Sequence, residues 1–178
     1  MRTTEHVVET DRLRLREMSE TDMPALSRIL QDSEVMYAYE HAFSDEEVRR
    51  WYEKQAENYR RYGFGLWAVV LKQTEEMIGQ CGLTMQAWNT RTVPEIGYHL
   101  AKTHWHRGYA IEAARACKRY AFECLGIDEV FSIIRDNNIA SMNVAIRNGM
   151  EIRGSFAKHY RNIDMPHLVF SAKAERRS

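Results

Sequence analysis

The chain has 178 residues, no formal net charge, an ordinary apolar fraction and plentiful charged residues. A chain of that length buries roughly 70% of its unfolded surface, so a real core is expected and a disordered chain is excluded. The charge balance gives no ground to expect nucleic acid or an anionic membrane as partner, and no apolar run approaches the roughly 20 residues of a membrane-spanning helix.

The opening MRTTEHVVETDRLRLRE is charged and alternating, which is not the pattern of a signal peptide. Leu13 and Leu15 alternate with arginines and predict a first strand, exposed or half-buried. In SETDMPALSRIL, Thr21 is the expected cap of a helix whose first turn accepts Asp22 and Pro24. SDEEVRRWYEKQAENYRRYG opens with Ser44 and has Glu47 three residues on. That is the spacing of a capping box, with Gly63 as the stop.

The pattern then changes to period two. FGLWAVVLK, EMIGQCGLTMQAWN and VPEIGYHLA predict three strands, read as a meander. Gly79 and Gly82 inside the second predict a bulge or a close backbone approach. Ala110, Ala113, Ala114, Cys117, Tyr120, Ala121, Cys124 and Leu125 recur at helical spacing, and Gly126 follows as a natural stop. EVFSIIR predicts a strand. NNIASMNVAIRNGM predicts a short helix with Asn138 as N-cap and Gly149 as stop. EIRGSFAKHYR and PHLVFSAKA predict a closing hairpin.

The order is therefore β-α-α-β-β-β-α-β-α-β-β, an α+β fold with helices interrupting a mixed, mostly antiparallel sheet. A Rossmann unit is excluded by that order and by the lack of a G-x-G-x-x-G segment. No repeat or Gly/Ser linker marks a boundary, so residues 1–178 are expected to form one domain. The three cysteines, Cys81, Cys117 and Cys124, form no C-x-x-C and are read as reduced core residues of a cytoplasmic protein.

One segment, THWHRGYAIEAA from Thr103 to Ala114, poses a choice of chemistry. His104 and His106 suggest a metal, but they precede the helix in a loop with no carboxylate cluster beside them, so no metal is expected. Gly108 before a helix suggests an anion. A helix N-terminus leaves about four N–H groups unpaired and carries roughly half a positive charge, and small residues at Ala110 and Ala113 keep the first turns open.

The stretch R-G-Y-A-I-E-A resembles the acetyl-CoA pyrophosphate loop of the GNAT acyltransferase superfamily, and most resembles its RimJ/RimL-type branch of ribosomal-protein N-terminal acetyltransferases. EIGYHL resembles the strand before that loop, NNIASMNVAIRNGM the N-x-x-S helix segment and TDRLRLR the opening strand, so the resemblance spans nearly the whole chain. Two positions depart from the family pattern: Trp105 stands where Gln or Arg is common, and His106 stands where the loop usually has its first glycine.

The resemblance implies a GNAT-type fold in which two central parallel strands, EIGYHL and EVFSIIR, splay apart around acetyl-CoA. It implies pantetheine pairing with backbone near Tyr98, His99 and Leu100. The diphosphate would meet Arg107, Gly108, Tyr109, Ala110, Ile111 and Glu112, with polar contacts from Asn138 and Asn143. Asn138 is read equally as a helix cap. The reaction implied is direct attack of a primary amine, of a protein N-terminus or a small molecule, on the thioester. Such an amine is almost wholly protonated at neutral pH, so a base is required. The oxyanion needs a donor, for which a strand N–H serves, and the departing thiolate needs an acid. Glu95 is the first choice for the base and Ser141 for the acid, with Tyr98, Tyr109 and Tyr160 behind it. Each has a purely structural alternative: a strand-edge carboxylate for Glu95, a first-turn helix residue for Ser141.

The acceptor pocket is expected from the aromatic VMYAYEHAF between the first two helices, joined by Trp51, Tyr52, Trp88 and Tyr160. A homodimer is implied only at the level of the family. The rival reading is a non-catalytic module that senses acyl-CoA or binds a protein on the same fold.

Overall fold

The computed structural model describes residues 7–160 and 162–175. Along them run β1 (Val8–Glu9), β2 (Leu13–Arg16), α1 (Met23–Leu30), α2 (Asp45–Tyr62), β3 (Leu66–Leu71), β4 (Met77–Trp88), β5 (Arg91–Leu100), α3 (Tyr109–Glu123), β6 (Glu129–Arg135), α4 (Ile139–Arg147), β7 (Glu151–Tyr160) and β8 (Ile163–Lys173). Apart from the two-residue β1, this is the order expected from the sequence. The strands form one sheet in the order β1-β2-β3-β4-β5-β6-β8-β7. Every neighbouring pair is antiparallel except β5 and β6.

Alternation sets what each face of the sheet buries. Leu13, Leu15, Trp67, Val69, Cys81 and Ile96 meet the small residues Ala113, Ala114, Cys117 and Ala121 of α3. Fully burying a leucine stabilises by roughly 1.5–3 kcal/mol, so Leu13 and Leu15, both at 0% exposure, anchor a strand of only four residues. On the other face Ala68 and Val70 pack against Leu26, Ile29 and Leu30 of α1 and Val48 of α2. Beyond α1 and α2 that face carries a smaller cluster, Val93, Phe131 and Val169, with Trp88, Ile133 and Phe156 packed against it.

The caps explain most element boundaries. Ser44 accepts from the Glu47 backbone at 3.2 Å, Glu47 returns to the Ser44 N–H, and Gly63 ends α2 at φ 74°. The start of α1 differs from expectation. Ser19, not Thr21, opens this region: its N–H donates to Asp22 at 2.8 Å, and a 3-10 turn over Glu20–Asp22 leads into α1. Asp22 is held in that role by Arg16, which donates two hydrogen bonds to the same carboxylate, at 2.7 and 2.8 Å.

Both readings of the β4 glycines hold. The β3–β4 register steps from Val69↔Gly79 to Val70↔Met77, leaving Ile78 as a bulge. A Cβ on Gly82 would fall 2.0 Å from the carbonyl oxygen of Gly65. Of the cysteines, Cys81 and Cys117 are buried with sulfurs 3.6 Å apart, but Cys124 is exposed. The seven-residue spacing placed it on the core face, yet it is the C-cap of α3, where the helix has already ended.

Candidate active site

The parallel strands β5 and β6 share a single register pair, Glu95↔Phe131. Further along, Gly97 to Leu100 pair only with Gly82 to Gly79 of β4, and Ile133 to Arg135 pair only with Val169 to His167 of β8. A wedge therefore opens toward the C-terminal ends of both strands. Two side chains tie its vertex. Ser132 Oγ donates to the Ile96 carbonyl at 2.9 Å, and Glu95 Oε2 accepts from the Ile133 N–H at 2.9 Å. Glu95 thus stands in for the strand partner that Ile133 lacks on its β5 side. Burial pushes its carboxyl up to about 7, with the Ile133 N–H the largest opposing influence.

Glu95, Gly97 and His99 share the face of β5 that α2 overlooks. They line a cavity of about 60 Å³ with Tyr39, Trp51 and Leu66 among its walls. The Trp51 indole N–H donates to Gln80 Oε1 at 3.0 Å, and Gln80 Nε2 lies 3.1 Å from His99 Nδ1. Tyr39 and Trp51 pack on the His99 ring, at 5.4 and 5.8 Å between centroids. Burial pushes the His99 pKa down to about 4, so the ring is neutral at physiological pH.

On the opposite side of β5, α3 begins at the mouth of the wedge. Its N-terminus has no side-chain cap, whereas Ser44 caps α2 and Asn138 caps α4. Gly108 takes φ 77° and His106 takes φ 60°. The loop therefore has two left-handed residues, and His106 pays at one of them a strain that a glycine would avoid. The β1–β2 turn grips the same loop. Arg12 donates to Glu112 Oε2 at 2.6 Å and to the Arg107 carbonyl at 3.0 Å, and its guanidinium lies 4.4 Å over the Tyr109 ring. Thr10 donates to Glu112 Oε1 at 2.6 Å. The Glu112 side chain thus turns away from the loop's free N–H groups, and Ile111 is buried in the core. Arg107 and His106 are exposed. His104 lies 3.0 Å from Thr103 Oγ1 and 3.8 Å from Glu76. Trp105 has a structural task, donating its indole N–H to the Leu100 carbonyl at 2.9 Å.

The far wall of the wedge is α4. Asn138 Oδ1 accepts from the Ser141 N–H at 3.1 Å and from the Tyr37 hydroxyl at 2.9 Å. The Tyr98 hydroxyl donates to the Ser141 carbonyl at 2.7 Å, and burial pushes the Tyr98 pKa far up. Ser141 Oγ has no hydrogen-bond partner among the described residues, and Asn143 is exposed. Between α1 and α2 the chain crosses over the wedge. Tyr37 reaches Asn138, the Ala38 carbonyl accepts from Arg135 at 3.3 Å, and Glu40 forms an ion pair with Arg135.

The aromatic pocket expected from VMYAYEHAF is built from Tyr39 and Trp51. Tyr52 packs instead into the α1–α2 core. Trp88 lies against Phe131 at 5.5 Å, with Arg91 over its ring. Lys102 pairs with Glu34. The Tyr160 side chain lies outside the described part of the structure. Sequence reasoning missed Arg12, Gln80 and Arg135. Only Gln80 carried a signal, as an amide in the apolar first half of its strand.

Over residues 12–151 the chain matches the family model of the acetyltransferase (GNAT) domain. The Bacillus subtilis protein YkkB is 37% identical over 166 residues, which cover 93% of this chain and 94% of that one. An acetyltransferase from Agrobacterium tumefaciens superposes with a TM-score of 0.79 at 27% identity, covering 94% of each chain. RimL, a ribosomal L7/L12 alpha-N-protein acetyltransferase in complex with coenzyme A, shares the fold with a TM-score of 0.76 at 20% identity, covering 95% of this chain and 98% of that one.

Proposed function

The chain belongs to the GNAT acetyltransferase family, and from that premise we propose that it transfers the acetyl group of acetyl-CoA to a primary amine, with Glu95 as the base. The observation that carries this reading is the wedge itself. Its vertex holds a carboxyl pushed up to about 7, and its mouth is an uncapped helix N-terminus behind Gly108.

Acetyl-CoA is the donor substrate. The residues fit it. The unpaired N–H groups at the start of α3 and the positive end of its dipole suit a diphosphate, and the unpaired edge of β5 from Gly97 to Leu100 suits the amides of the pantetheine arm. Asn138 and Asn143 stand on the α4 side, where Asn138 already serves as a cap.

An amine with a pKa near 10 is free base to roughly one part in a thousand at pH 7. A carboxylate whose own pKa lies near 7 is ionised enough to take the proton, directly or through a water, and weak enough as an acid to keep it. The amine then attacks the thioester carbon and the carbon–sulfur bond breaks. The oxyanion is met by a backbone N–H at the wedge, and Ser141 Oγ–H donates to the departing thiolate. We place the protein in the RimJ/RimL-type branch on TDRLRLR, the loop and NNIASMNVAIRNGM; turnover of peptides with free N-termini tests that placement.

The test is acetyl-CoA binding by calorimetry followed by CoA release with a panel of amines and N-terminal peptides. Binding with release supports the enzyme. No binding refutes the reading, and binding without release across the panel makes the protein an acyl-CoA sensor on the same fold.

A further inference from the structure

We propose that the acceptor is an amine carrying an anionic group several bonds from its nitrogen, with the nitrogen at Glu95 and the anion between Lys54 of α2 and Lys158 of β7. The inference rests on the acetyl transfer proposed above and narrows its acceptor by charge.

Strand register puts these charges on one face of the sheet. Paired residues point their side chains the same way, and the direction repeats every second residue. Glu95 pairs with Phe131, and further along β6, on the same face, Arg135 pairs with His167. His167 pairs in turn with Phe156, and Lys158 is the next residue of β7 on that side. Glu95, Arg135, His167 and Lys158 therefore share the face that α2 overlooks, opposite the one that α3 covers. Lys54 reaches the same place from α2 and lines the cavity with Glu95. With His99 neutral, those two are the only charged groups in that lining. The charges of both lysines are felt at Glu95, where they partly offset the effect of burial.

Three arginines of this face are engaged elsewhere. Arg135 forms an ion pair with Glu40, Arg153 with Glu151, and Arg91 lies over the rings of Trp88 and Phe131. Lys173 stands at the far end of the face, opposite Glu129. Lys54 and Lys158 are exposed, and neither has an ion pair or a hydrogen bond among the described residues. A cavity of about 60 Å³ encloses the amine end of an acceptor and little more, which leaves the remainder outside, toward the two lysines. An α-carboxylate would be held beside Glu95 and repelled by it. An acid group several bonds away reaches the lysines instead, and a polyamine would bring a second positive charge against them. An exposed ion pair shifts an equilibrium by about 1.4- to 5-fold, so two lysines together give about 2- to 30-fold.

The experiment measures CoA release with three amines of one length, γ-aminobutyrate, its amide and putrescine, at equal free-base concentration. In kcat/KM, γ-aminobutyrate should exceed the amide by about 3- to 30-fold, and putrescine should fall below the amide. The preference should shrink as sodium chloride rises from about 0.05 M to about 0.5 M and screens the charges. Replacing both lysines in one chain, Lys54→Gln with Lys158→Gln, should bring the ratio of γ-aminobutyrate to amide within about twofold, with calorimetric acetyl-CoA affinity retained. The ratio is the diagnostic quantity, since a change at Glu95 or a general loss of structure acts on all three rates together. An acidic peptide and its asparagine counterpart carry the same comparison to chain termini. Preference for the acidic peptide that is lost with the lysines places the anion on a chain. Indifference there, beside a preference for γ-aminobutyrate, places it on a free small molecule. Turnover that favours the anionic member of neither pair, or a preference that survives the double replacement, overturns the proposal and leaves acetyl transfer standing. No turnover of any of these compounds overturns acetyl transfer itself.

Discussion

Replacing Glu95 by glutamine should make the protein a poorer catalyst and a more stable fold, and the second effect should depend on pH. The carboxyl moves from an ordinary 4.5 to about 7 because folding buries it. The folded protein thus holds this proton more tightly than the unfolded chain does. The contribution of this carboxyl to stability is highest below pH 4.5, declines as pH rises toward 7, and is flat above. At roughly 1.4 kcal/mol per pKa unit, the ionised carboxylate costs about 3 kcal/mol at pH 8 and about 1 kcal/mol at pH 5. Glutamine carries no such cost and can still accept from Ile133 through its Oε1. Glu95→Gln should therefore raise the melting temperature at pH 8 by up to about 6–12 °C, at 2–4 °C per kcal/mol for a chain of this size, and by about a third of that at pH 5. Over the same range kcat/KM should fall by about 10²–10⁴, and the wild-type limb near pH 7 should vanish from the pH–rate profile. Circular-dichroism melts at the two pH values and a thiol-release assay measure both. An equal melting offset at pH 5 and pH 8 would refute the raised carboxyl. An unchanged rate would remove Glu95 from the base role.

Other substitutions probe the supporting structure. Gly108→Val forces a β-branched residue to φ 77° and places methyl groups before the α3 N–H groups; acetyl-CoA affinity should drop by at least about tenfold in calorimetry. Asp22→Asn breaks the paired hydrogen bonds from Arg16. Burial alone would raise the Asp22 pKa, but the hydrogen bonds from Arg16 and Ser19 outweigh it and hold the carboxyl below 3.8. The pair thus stabilises above that range and loses its effect as pH falls through the lowered pKa. Urea denaturation should show a loss of about 3 kcal/mol at pH 7 that shrinks below pH 4; a loss independent of pH would contradict the pairing. Gly82→Ala puts a methyl 2.0 Å from the Gly65 carbonyl and should cost more than about 4 kcal/mol, measured as loss of soluble folded protein or a collapsed melting temperature.

The fold was legible where local chemistry decides it. The Ser44–Glu47 box, the Asn138 cap and the stops at Gly63, Gly126 and Gly149 are interactions between near neighbours, so sequence spacing reveals them. Where tertiary partners decide, spacing misled. Thr21 looked like the cap, but Arg16 recruits Asp22 and moves the helix start. Cys124 had core periodicity but falls where the helix ends. Glu95 was legible as a candidate through its strand, while its raised carboxyl comes from burial under distant elements, only partly offset by the N–H of Ile133, 38 positions away. The cavity between α2 and β5 was least legible, because Tyr39, Trp51, Gln80 and His99 come from four elements and the aromatics among them have the same sequence appearance as Tyr52 and Trp88.

With one register pair between β5 and β6, the sheet behaves as two blades on a hinge. Within each blade, ladder hydrogen bonds fix strand against strand. Past that pair no ladder joins the blades; they are held by the core that α3 packs across both and by point ties: Glu95 to Ile133, Ser132 to Ile96, Tyr98 to Ser141 and Glu40 to Arg135. Each tie involves at least one side chain. A change at any of them can alter how wide the hinge stands without disturbing the pairing inside either blade. The aperture is thereby a property that single substitutions can adjust while the scaffold stays as it is, which gives such a fold a simple route to acyl groups and amines of different bulk.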